Sequence, residues 1–502
     1  MKPRLLRLGR RSRLSLAVPA VLAAACLTPA AAGAHNAHGA TGSGTVLQTN
    51  LVSDLPGAAS LTDPNLVNPW GISESSGSPF WISDNNAGVS TLYNVPGTGS
   101  TPASINPLVV DIPTPVSATG GTPTGTVFNT ASASDAFQIT GQNASGQTTT
   151  VPALFLFATE DGTIIGWNPA INSTHAVIAV DNSGNNFTNP HPNKQTGAVY
   201  KGLAIETSAT PIFPTDASST ALLYASNFRD RKVEVYDANF NRVALPTGAF
   251  RDPRLPGDYA PFNVQALDGK VYVTYAKQDA VRHDDVGGPH RGFVDVFNPD
   301  GSPGLPHGKV RLITRGTLDS PWGLAIPPQG FAGLSAPDGD PVLLVGNFRD
   351  GFIHAFDATN GDPLGQLTDA DGKPIHINSL WALQVGNGGT GGAADTVYFT
   401  AGIFDEAHGL FGSLTTSAPG SPEGPAETQA VQADRDVVQL DQQQLANDTA
   451  NGAPAATIKQ DNETLHADSA QLAADEQALT QEGHGRRHER IANPRSGRRS
   501  GD

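Results

Sequence analysis

The chain has 502 residues, of which 16% are charged, with 55 glycines, 39 prolines and a formal net charge of −16. That length exceeds one simple core, and the composition argues against long helices and for many short strands joined by Gly/Pro turns. The acidic balance excludes non-specific nucleic-acid binding by the body of the chain.

The first segment, residues 1–34, reads as an export signal. Six basic residues from Lys2 to Arg13 precede an apolar run, Leu14 to Leu27, and small residues follow, with a cut expected after Ala34. The apolar run is too short for a lasting membrane span. The pair Arg10-Arg11 leaves Sec and twin-arginine export both open. The only cysteine, Cys26, lies in this segment, so the mature chain must do without disulfides. A secreted, extracellular or cell-wall location follows as the expectation.

Between residues 45 and 414 a repeat dominates. Six apolar strands end in polar turns: "PFWISDNNAG", "ALFLFATEDG", "ALLYASNFRD", "KVYVTYAKQD", "PVLLVGNFRD" and "DTVYFTAGIFDEAHG". Each is followed by a short strand carrying an aromatic, in order Tyr93, Trp167, Tyr236, Phe297, Phe356 and Phe411. Each is preceded by a third apolar segment: "NPWGIS", "GTVFN", "YKGLAI", "PFNVQA", "SPWGLA" and "SLWALQ". Three visible strands repeated six times predict an all-β, six-bladed β-propeller with four-stranded blades. The weakly patterned fourth strands are expected in segments such as "HAVIAVDN" and "KVRLITRG". The twin stretches "SNFRDRKVEVYD" and "GNFRDGFIHAFD" then read as hairpin turns two blades apart, with Tyr236 and Phe356 packing between blades. Trp70, Trp322 and Trp381 take matched places on the innermost strands, where core packing is the first expectation and stacking on a sugar the second. Gly71 and Gly323 predict tight packing near the axis.

The turn-strand pattern "NFRDRKVEVYD" resembles the NHL repeat. "NLVSDLPGAASLTDPNLVNPWGIS", "KQDAVRHDDVGGPHRGFVDVF", "SPWGLAI" and "DEAHGLFGSL", taken in order, resemble an uncharacterised family of secreted bacterial propellers. That resemblance implies a six-bladed, NHL-like propeller and no particular activity. The chain is also distantly similar to the SMP-30/gluconolactonase and paraoxonase group, which implies a Ca2+ ion in the central channel. The matching positions here would be Asn68, Asn129, Asn263, Asp319 and Asn378. Only one of these is an acid, and the Glu typical of those enzymes has no clear counterpart.

A second candidate site is the long hairpin loop Ala276 to Gly292. It carries Asp279, His283, Asp284, Asp285 and His290, a set able to bind a metal or another ligand. No G-x-S-x-G elbow, H-E-x-x-H, phosphate loop or dinucleotide fingerprint is present.

Beyond the repeat, residues 415–429 read as a flexible linker. Val431, Val438 and Leu445, then Ile458, Leu465, Leu472 and Leu479, recur every seven residues, predicting a helical hairpin or coiled-coil tail over 430–482 that self-associates. Asp434, Asp441, Asp448, Asp461, Asp468 and Asp475 fall where a second apolar position belongs, so the seam is thin. Residues 483–502 hold six arginines and are expected to be a disordered end able to touch anionic cell-wall polymers.

These features support two functions. One is a secreted binding or scaffold protein for an unknown small molecule, glycan or protein. The other is a metal-dependent lactonase- or esterase-like hydrolase using the channel. Carboxylates converging on Asn263 would favour the enzyme, and a channel of Asn, Ser and apolar groups would favour binding.

Overall fold

The computed structural model describes residues 44–97 and 102–417. The expected leader over 1–34, the heptads over 430–482, the basic end over 483–502 and the linker beyond residue 417 lie outside the described residues. Six sheets form a ring, each inner strand packing against the next until the sixth meets the first. This is the six-bladed all-β propeller that the repeat predicts. Helical structure among the described residues is limited to short 3-10 turns, and none is long and apolar enough to cross a membrane.

Blade one runs through Pro69–Ser73, Phe80–Asp84, Val89–Asn94 and Ser104–Asp111. Blade two uses Pro123–Phe128, Phe155–Thr159, Thr163–Trp167 and Val177–Asp181. A separate hairpin, Gln138–Gln142 with Thr148–Pro152, is inserted after its inner strand. Blade three has three strands, Tyr200–Thr207, Ala221–Asn227 and Lys232–Tyr236. Blade four consists of Tyr259–Leu267, Lys270–Lys277, Phe293–Phe297 and Arg311–Thr314. Blade five consists of Pro321–Ala325, Val342–Asn347, Ile353–Asp357 and Pro363–Gln366. The expected outer strands after His175 and Lys309 are thus both present.

Blade six, Leu380–Val385, Val397–Ala401 and Leu410–Thr416, takes its outer strand from the other end of the chain. Val46–Ser53 pairs antiparallel with Leu410–Thr416, so the first strand closes the ring on the last blade. Pairing across this seam protects what would otherwise be two open edges.

Five apolar clusters fill the seams between neighbouring blades, and a sixth joins the centre to the seam between blades six and one. Trp167, Tyr236, Phe297 and Phe356 each pack into the seam with the preceding blade, as the repeat implies. Blade six departs from this rule. Phe411 sits near the start of its strand, against Phe80 and Tyr93 of blade one, and Leu414 fills the seam with blade five.

All six inner strands bulge at the same place. The regular pairing is broken immediately after Pro69, Pro123, Tyr200, Pro261, Pro321 and Leu380. A bulge re-aims the side chain that it carries. The residues that follow are Trp70, Thr124, Lys201, Phe262, Trp322 and Trp381. The aromatic members of this set are buried together and fill the centre of the ring. Trp70 stacks on Trp381 with ring centroids 3.5 Å apart, Phe348 stacks on the same Trp381 at 3.9 Å, and Trp322 meets Trp70 edge-on at 6.2 Å. The three tryptophans therefore pack with one another at the axis.

The glycines beside two of these tryptophans answer to close strand contact. A β-carbon on Gly71 would stand 2.6 Å from the Thr124 carbonyl oxygen, and one on Gly323 would stand 2.6 Å from that of Trp381.

Candidate functional site

On one side of the aromatic plug lies a polar mouth of about 140 Å3. It is built from inner-strand starts and the turns after the second strands, the loops best placed for function on a rigid ring. Lys201 is its centre. Four of the six bulge positions carry an aromatic residue, and in blade three the same bulge delivers a lysine that is 2% exposed. Its Nζ lies 5.1 Å from the Trp70 ring centroid and 5.9 Å from that of Phe228, a cation–π setting.

Two carboxylates complete the cage. Lys201 Nζ donates to Glu160 Oε1 in a close ion pair and to Asp284 Oδ1 at 3.2 Å. Glu160 follows the second strand of blade two, at the position where Phe228 and Phe348 follow theirs. Asn85 Nδ2 donates to its other oxygen at 3.1 Å. Burial by itself would lower the Lys201 pKa, but the two carboxylates outweigh it and hold the ammonium above its ordinary value. Burial pushes the Asp284 carboxyl up, yet the His283 hydrogen bond at 2.8 Å and the charge of Lys201 keep it well below the usual range.

The long blade-four loop folds over this mouth. Of its five candidates, His283, Asp284 and Asp285 line the pocket. Asp285 is held by Arg349, which donates to both carboxylate oxygens at 2.8 and 2.7 Å. Asp279 shapes the loop, accepting from the His283 amide at 2.9 Å. His290 lies elsewhere, exposed and bonded to the Gly316 carbonyl. Two groups at the mouth keep unused capacity. Trp70 Nε1 is buried without a partner among the described residues. The Glu406 carboxyl lines the pocket, and burial and the nearby Glu160 charge push it up to about 7 against the pull of Lys201 and Arg349.

The five channel candidates have separate hydrogen-bond partners. Asn68 accepts from Trp381 Nε1 at 2.9 Å. Asn129 is buried at the far end of its strand, donating to the Ala136 and Ala153 carbonyls. Asn263 ties blade four to blade five by donating to the Trp322 carbonyl at 2.9 Å. Asp319 accepts from the Gly288 amide at 2.6 Å, and Asn378 is exposed. Asn68, Asn263 and Asp319 thus link neighbouring blades, while Asn129 fastens backbone within its own blade. A different set does converge: Glu160, His283 and Asp284 bring potential ligand atoms within 4.8 Å of one another. The Lys201 ammonium stands between two of them, so this cage suits an ammonium better than a hard cation.

Sequence reading missed Lys201, Glu160, Arg349 and Glu406. A signal for the first existed. Aligning "YKGLAI" with "NPWGIS", "SPWGLA" and "SLWALQ" sets a lysine against three tryptophans. The other three required knowing which turns share the mouth.

The relatives that resemble the chain in sequence are uncharacterized proteins. No family model matches the chain. It is 30% identical over 373 residues to the uncharacterized protein R648 of Acanthamoeba polyphaga mimivirus, covering 72% of this chain and 78% of that one. The uncharacterized protein L690 of the same virus is 31% identical over 378 residues, covering 72% of this chain and 84% of that one. The chain belongs to the same family as these proteins. Among solved structures, the GH93 α-L-arabinofuranosidase of Fusarium graminearum overlaps 74% of this chain and 98% of its own, at 11% identity and a TM-score of 0.37. At that level the overlap carries nothing about substrate.

Proposed function

We propose that the chain is an exported ligand-binding propeller whose charged mouth takes a small polar molecule. The observation that carries this reading is Lys201, buried where the other bulges mostly place an aromatic residue. Buried ion pairs are often no more stabilising than apolar side chains of the same volume. A ring that fills this position with Trp or Phe in four blades has no packing need for a lysine. The Glu406 carboxyl offers a polar partner to whatever enters. The mouth volume restricts the ligand to a small one. The opposite end of the channel, where Asn263 lies, brings in one acid, Glu74, among amides, hydroxyls and apolar groups, which also favours binding. The leader-like residues 1–34 support export, the arginine-rich end supports contact with anionic wall polymers, and the heptads support self-association.

A hydrolase is the second reading, favoured by Glu406. A carboxyl that holds its proton near neutrality beside ionised Asp284 has the form of an acid–base pair. Calorimetric titration with small polyols, amino acids, carboxylates and Ca2+, with a lactone and ester turnover screen with and without chelator, separates the two. Saturable binding without turnover, lost in Lys201→Met/Glu160→Gln, is the expected result. Chelator-sensitive turnover would replace the first reading with the second, and absence of both would end the assignment of this mouth.

A further inference from the structure

Across the aromatic plug from the charged mouth lies a second cavity, of about 300 Å3, lined by residues of all six inner strands. Its chemistry is lopsided. Glu74, just past the blade-one inner strand, is the only charged side chain lining it among the described residues. Gln384 Nε2 donates to Glu74 Oε1 at 2.8 Å, while Oε2 is buried with no partner among the described residues. Two hydroxyls of the lining, Ser73 and Thr126, pair with each other at 3.2 Å. Leu203, Val264 and Leu383 supply apolar wall.

A carboxyl with one buried, orphaned oxygen and no basic neighbour among the described residues is costly to ionise and costly to leave unpaired. We infer that this cavity is a separate binding site for a small amphipathic primary amine, its ammonium meeting Glu74 and its apolar body lying along Leu203, Val264 and Leu383. A neutral hydroxyl can pair with the carboxyl but leaves it protonated. A carboxylate would be repelled by the ionised form and brings no cation to stabilise it. An ammonium does both tasks of satisfying the oxygen and neutralising the carboxylate.

The protonation state of Glu74 fixes a signature. Burial pushes Glu74 up to about 8, with the Gln384 hydrogen bond opposing, so the carboxyl is mostly neutral at pH 7. Among the described residues the Tyr398 phenol also feels its charge and is itself pushed up by burial. Binding of R–NH3+ then converts Glu74–COOH to the carboxylate, and the proton leaves to solvent. No bond to carbon changes.

The test uses n-butylamine, n-butanol and butyrate as probes on the full chain. Calorimetry in two buffers of different ionisation enthalpy should show butylamine binding at pH 7 with release of close to one proton. Its affinity should rise by about 10-fold from pH 7 to pH 9, while the alkylammonium stays charged. Glu74→Gln should abolish the binding with no loss of thermal stability. Equal binding of butanol or butyrate, binding without proton release, or binding that survives in folded Glu74→Gln overturns the inference. So does an absence of butylamine binding in the wild-type chain. The proton count is read on the wild-type protein, so the outcome does not depend on the variant folding. Because this site and the charged mouth are separate, a chain that fails one test can pass the other.

Discussion

Substituting Lys201 by Met removes one charge from the mouth and takes the ammonium away from Glu160. The Glu160 side chain is 12% exposed, whereas Asp284 is 61% exposed and can turn to water. The cost therefore falls on Glu160, which keeps only the Asn85 hydrogen bond. Breaking a buried pair by removing one partner typically costs about 3–5 kcal/mol. Protonation sets a ceiling on the electrostatic part. Neutralising an ordinary carboxyl with a solution pKa of about 4.3 costs about 3.7 kcal/mol at pH 7 and about 1 kcal/mol at pH 5. Met packs against the same rings, so little apolar contact is lost. Lys201→Met should thus lose about 3 kcal/mol at pH 7 and about 1 kcal/mol at pH 5. Lys201→Met/Glu160→Gln should return to within about 1 kcal/mol of wild type at both. Urea unfolding of the wild type, both single variants and the double variant at the two pH values measures this. An equal loss at pH 5 and pH 7, or a double variant no better than Lys201→Met, would show that the lysine is held by something other than its carboxylate cage.

Three further outcomes follow from the ring. A β-carbon at position 202 would stand 2.9 Å from the Asn263 Cα on the adjoining inner strand, so Gly202→Ala should lower stability by about 1–3 kcal/mol. Gly257→Ala, in open space, should be neutral in the same melt. Glu406 is raised to about 7 in the folded chain from an ordinary value of 4.5, so between those values the native state binds more protons than the unfolded one. Stability should then fall as pH rises through that window, and Glu406→Gln should flatten the slope of unfolding midpoint against pH. Deleting residues 1–53 removes the closing strand Val46–Ser53 and exposes the edge of Leu410–Thr416. The shortened chain should lose its cooperative thermal transition or associate through that edge, as scanning calorimetry and light scattering would show.

Most of the architecture was legible because strand alternation and turn residues are local. "ALFLFATEDG" and "PVLLVGNFRD" announce a strand and its turn within ten residues, and six such units at near-equal spacing leave few folds open. The seam aromatics of blades one to five were equally readable, since each stands at a fixed place in its own strand. Phe411 was misleading because aromatic identity alone does not give position along a strand. The closing strand was missed because its partner lies more than 350 residues away.

The sequence by itself determined the number of blades, the tight glycine positions beside Trp70 and Trp322, and the loop that carries His283, Asp284 and Asp285. The tertiary structure alone decided that these meet Glu160 of blade two, Lys201 of blade three, Arg349 of blade five and Glu406 of blade six. A ring brings the same position of every unit to one axis, and the bulges turn one side chain from each inner strand toward it. Whether that side chain is an aromatic that fills the centre or an ammonium that charges it depends on neighbours several blades away. No local pattern encodes that pairing.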